Sequence, residues 1–70
     1  MGAHRYRITI AGGLSDTGRE AFAGFHIEAN GVDTVLTGDL DQAALYGTLN
    51  RFMSLGLELL ELRRLTASTG

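Results

Sequence analysis

Apolar and polar residues alternate strictly at the start of the chain. In HRYRITI, Tyr6, Ile8 and Ile10 fall on one face and Arg5, Arg7 and Thr9 on the other. That period of two, in β-branched company, predicts a half-buried strand. Gly12-Gly13 then reads as a turn. In SDTGREAF, Thr17 and Glu20 have capping-box spacing and predict a helix of one or two turns starting near Gly18, with Ala21, Phe22 and Phe25 as apolar contacts. Alternation resumes in FHIEA, with Phe25, Ile27 and Ala29 against His26 and Glu28. Asn30-Gly31 predicts a hairpin turn, because both residues tolerate positive φ, and TVLTG is its second arm.

The period changes after Asp41. Leu45, Leu49, Phe52 and Gly56 recur at helical spacing, flanked by Ala44, Thr48 and Leu55. The predicted helix runs from about Gln42 to Leu55, N-capped by Asp41 and ended by Gly56 in a left-handed conformation; Asp39 suits the positive end of the same helix dipole. LELLELRRL closes the pattern as a strand.

The order is β, short α, β, β, α, β. The compact arrangement for that order is an α+β, ferredoxin-like βαββαβ two-layer sandwich. It has a four-stranded sheet of order 4-1-3-2, with a short first helix and one long helix on one face. We expect the first and third strands to lie parallel at its centre. Seventy residues make a single domain, 1–70, with an ordered core of about 4–65 and a frayed tail at 66–70.

The closing strand is too apolar for an edge with one solvated face. If Leu60 and Leu62 pack beneath the helix with Ile8, Ile10 and Val35, then Leu59 emerges on the outer face beside Leu36, with Leu65 further along. Arg5, Arg7, Glu61 and Arg63 form the rim, which is the composition of a protein interface. The opposite facing leaves Leu60 and Leu62 exposed instead. Tyr46, Asn50 and Met53 form a second stripe on the helix side away from Leu45, read as a further contact surface or as incidental exposure.

Composition narrows the function. There is no Cys, so disulfides and thiolate metal sites are excluded. Net charge is −2, with no basic face to bind nucleic acid. All six basic residues are Arg, and a coding bias explains this more simply than anion recognition. No run of residues suits a membrane span or a secretory signal, so the expected place is the cytoplasm. Gly12, Gly13 and Gly18 fit neither a phosphate loop nor a dinucleotide fingerprint. Ser15, Ser54 and Ser68 lack a nucleophile-elbow context. His26 beside Glu28 reads as a solvated strand pair before it reads as a base, and Asp39 with Asp41 as capping before Mg²⁺ binding. We expect no catalytic residue, cofactor or metal.

From Thr34 to Gly38, Asp41 to Leu45, Gly47, and Leu55 to Leu57, the chain resembles small actinobacterial proteins of unknown function that carry a "TVLTG…DQAALHG…LGL" helix-strand motif. YRITIAGGL is similar to their first strand, and Tyr46 stands where that group usually has His. The resemblance implies the fold and a bacterial cytosolic setting.

Three functions remain. The first is a non-catalytic interaction or regulatory module acting as a homodimer or higher homo-oligomer, with or without a further protein partner. The second is a small-molecule sensor holding an effector at a dimer interface. The third is a cofactor-free cyclase or oxygenase-like enzyme in which Tyr6, His26 and an Arg line a cavity.

Overall fold

In the computed structural model, which describes residues 2–65, strand β1 (His4–Ile10) is followed by helix α1 (Asp16–Ala21). A hairpin of β2 (His26–Asn30) and β3 (Asp33–Leu40) comes next, then α2 (Gln42–Ser54) and β4 (Leu59–Leu65). The tail expected to fray, 66–70, lies outside the described residues.

The four strands form one sheet of order β2-β3-β1-β4, the expected order read from its other end. Every pairing is antiparallel, including β1 with β3. The expectation of parallel central strands is therefore wrong, and the connections explain why. A helical crossover returns β2 in the direction of β1, and a two-residue turn then reverses the chain. β3, lying between them, runs against both.

The hairpin forms where expected but on a different pair of residues. Asn30 is opposite Asp33, so the loop is Gly31-Val32. Gly31 takes φ +65°, and it is a glycine in this first loop position that a type II′ turn requires.

α1 starts at Asp16, two residues before its predicted start near Gly18. Ser15, not Thr17, is the N-cap, and its Oγ accepts from the Gly18 N–H at 3.2 Å. α2 matches its prediction closely. Asp41 Oδ1 accepts from the Ala44 N–H at 2.7 Å. The far end is a Schellman motif: Gly56, at φ +72°, donates to Met53 O at 3.1 Å, and Leu57 donates to Phe52 O at 2.8 Å.

The core lies between the sheet and the two helices. Ile8, Ile10, Leu36 and Leu40 come from the strands, Leu45 and Phe52 from α2, and Phe22 from the end of α1. The Phe22 and Phe52 rings meet with centroids 4.9 Å apart, and Phe25 meets Phe22 edge-on at 6.0 Å. Arg51 donates from Nη1 to Ala21 O at 2.8 Å, tying α2 to the last turn of α1.

Leu36 belongs to this core, with 0% exposure. The expected facing of β3 is therefore inverted. Leu36 is opposite Ile8 on one side and Ile27 on the other, and residues directly opposite in an antiparallel ladder share a face. Val35 turns outward instead, opposite Thr9 and Glu28.

Candidate functional site

Leu36 is thus removed from the expected interface, and the outer sheet face that it was to centre is polar. Arg5 is opposite Asp39, and its Nε donates to Asp39 Oδ1 at 3.0 Å in an exposed pair. Hydrogen bonding to that carboxylate, and then its charge, raise the Arg5 pKa above its ordinary value. Arg7 lies between Thr37 and Arg63, and Glu61 is opposite Thr9. The apolar members of this face are Val35 and Leu65, both half-buried. With Arg7, Glu28, Thr37 and Glu61 they line a shallow concavity of about 440 Å³.

Leu59 does not join that face. The β1–β4 register slips between Thr9 and Ile10, so that Thr9 is opposite Glu61 but Ile10 is opposite Leu59. Leu60 is the extra residue of a β-bulge. One inserted residue reverses the facing of what precedes it, and Leu59 turns to the helix side with Ile10. Leu62, opposite Ile8, is on that side too. The helices do not reach far enough to cover them. Leu59 is 42% exposed, Leu60 48% and Leu62 38%. β4 is also an edge strand, paired with β1 alone.

α2 has an exposed apolar side of its own. Tyr46 and Met53, seven apart, share a side of the helix and are 57% and 71% exposed; Asn50 beside them is exposed as well. The Tyr46 hydroxyl accepts from Gln42 Nε2 at 3.2 Å. It meets Arg64 of β4 across an open groove of about 420 Å³ that also takes in His4, Tyr6, Asp41 and Gln42. The groove is not legible in the sequence, because its residues become neighbours only when β4 is placed beside β1 and beneath the flank of α2.

The residues proposed for chemistry do not converge. Tyr6 is opposite Gly38 on the helix side of the sheet, whereas His26 is opposite Thr37 on the outer side. Within one chain the two therefore do not line a common cavity. His26 Nε2 approaches Glu28 Oε2 at 3.2 Å on an exposed strand surface, an ion pair when the imidazole is protonated. Asp39 and Asp41 part company: the first pairs with Arg5 and the second caps α2.

Among the described residues, no helix is long and apolar enough to cross a membrane. No curated protein and no solved structure matches the chain. A family model does, over residues 5–63, from the second residue of β1 almost to the end of β4. The chain belongs to the family described as a domain of unknown function, DUF8691.

Proposed function

We propose that this chain is a non-catalytic interaction module that works as a homo-oligomer. One observation carries the reading. The edge strand exposes three leucines on its helix side, in a domain whose small size leaves it short of buried surface. An apolar, unpaired edge invites uncontrolled pairing unless a partner covers it. The interface residues are Leu59, Leu60 and Leu62, with Glu61, Arg63 and Leu65 alternating on the other side of β4 and Arg7 beside them. The Tyr46–Met53 flank of α2 continues the same surface. The arrangement is ferredoxin-like in its βαββαβ order, and the setting is the cytosol of a bacterium of the actinobacterial kind. Sedimentation velocity between about 5 and 500 µM tests the reading: association across that range supports it, and a monomer throughout defeats it.

The groove beside Tyr46 favours a second reading, a sensor whose effector sits where α2 and β4 meet. Its lining of Tyr6, Gln42, Tyr46 and Arg64, with the Asp41 carboxylate engaged in capping α2, suits a small anion with an aromatic or hydroxylated body. A thermal-shift screen of anionic metabolites tests this. A rise in melting temperature that Arg64→Ala removes would favour the sensor.

A further inference from the structure

We infer that the partner of β4 is the β4 of a second copy of this chain, paired antiparallel about a two-fold axis at Leu62, with Glu61 of each copy opposite the partner's Arg63. The inference rests on the oligomeric reading above and specifies its interface.

The two edges of the sheet differ. The β2 edge carries His26, Glu28, Ala29 and Asn30, all exposed, with a His–Glu contact along the strand. It has the polar surface that keeps an edge solitary. The β4 edge carries the exposed leucines.

β4 also meets a like charge on β1. Arg63 stands directly opposite Arg7 on the outer face, and like charges opposite one another destabilise a ladder. Among the described residues neither has an ion-pair partner, whereas Arg5 on the same face is matched to Asp39. An acidic group arriving from beyond β4 would face Arg63 on its open side and relieve the conflict.

β4 itself supplies that group. In a continuous antiparallel sheet the two-fold axis is perpendicular to the sheet, so outer-face residues must meet outer-face residues. Slips of one residue are then forbidden. Three registers overlap substantially. The first sets Glu61 against Glu61, and the last sets Arg63 against Arg63. The middle one sets Glu61 against the partner's Arg63 twice, with Leu62 against the partner's Leu62 on the axis. Only this register is complementary in charge. It extends the row Arg7–Arg63 by a carboxylate and brings Leu62 of the two copies together at one seam, with Leu60 opposite the partner's Arg64 and the bulge ending the regular pairing there. Larger slips leave most of the strand unpaired.

Charge reversal tests the register. Glu61→Arg and Arg63→Glu, made singly, turn two attractive pairs per dimer into repulsive ones, and each should weaken dimerisation roughly tenfold. The double variant Glu61→Arg/Arg63→Glu restores opposite charges and should return to within about threefold of wild type. Leu62→Cys gives a second readout. In an antiparallel ladder, residues directly opposite have Cα atoms about 4.5–5.5 Å apart, within disulfide reach. The chain has no other Cys, so mild oxidation should trap a covalent dimer at position 62, while Val32→Cys, at the hairpin tip, should not.

Failure is distinguishable by level. A wild-type monomer up to about 500 µM overturns both the register and the oligomeric reading. An oligomer indifferent to the charge reversals and untrapped at position 62, but dispersed by Met53→Arg, overturns this interface and keeps the oligomer. Single reversals that weaken association without rescue by the double variant, together with failure to crosslink at 62, overturn the register.

Discussion

Gly38 shows how narrowly single residues fix the packing. A Cβ built there would stand 2.9 Å from Cδ2 of Phe25, whose ring lies across β3 and meets Phe22 edge-on. Gly38→Ala must therefore displace a half-buried aromatic ring. We expect a loss of about 1–3 kcal/mol by denaturant titration, in the range of other overpacked sites. Phe25→Leu in the same background should recover part of it. Phe52 is the opposite case. It is 1% exposed and touches Phe22, so Phe52→Ala should cost about 3–5 kcal/mol. The inward places of Ile8, Ile10 and Phe52 are legible in the sequence from their periods of two and 3.6. That of Leu36 is legible too. With Ile27 inward, any two-residue hairpin loop carries Thr34 and Leu36 inward and Val35 outward, whichever pair forms the turn. Hydrophobicity does not separate Val35 from Leu36; register does.

At the scale of elements, α2 was the most legible because its signals agree. A capping Asp, a stripe of period 3.6 and a glycine at the C′ position all bound the same segment. Asp41→Ala should cost about 1 kcal/mol, from an orphaned N–H in the first turn. Gly56→Ala should cost about 1–2 kcal/mol, because φ +72° suits no β-carbon. Chemical denaturation of the two variants and their combination checks both. The capped ends are far apart, so the losses should add. α1 was less legible because Ser15 and Thr17 both offer a hydroxyl to a first turn; Ser15 holds the cap. The bulge in β4 was hidden for a different reason. Nothing in LELLELRRL marks Leu60 as the extra residue, and the slip is visible only as Thr9 and Ile10 pairing with Glu61 and Leu59.

For the molecule as a whole, the antiparallel sheet and its strand order follow from the succession of elements, but which apolar surface stays open does not. That surface depends on how far two helices of unequal length reach. α1 is a short helix of 6 residues beside an α2 of 13, and neither covers the helix side of β4. If edge pairing completes the fold, stability must depend on concentration. For unfolding coupled to dissociation, a hundredfold rise in protein concentration adds about 2.7 kcal/mol per mole of dimer. With an unfolding entropy of about 2.1 cal/mol/K per residue over two chains, this corresponds to a melting temperature roughly 9 °C higher. Circular dichroism melts at about 5 and 500 µM should show a shift of several degrees in the wild type. Arg63→Glu should show a smaller shift, since its dimer seam becomes repulsive. At the dilute end, where dimerisation stabilises least, it should melt closest to the wild type, because an acid opposite Arg7 replaces the Arg7–Arg63 repulsion inside each protomer. A variant merely damaged in its fold would melt lower at both concentrations. The two melts together therefore separate a lost partner from a lost core, and a wild-type melting temperature independent of concentration would leave β4 an open edge.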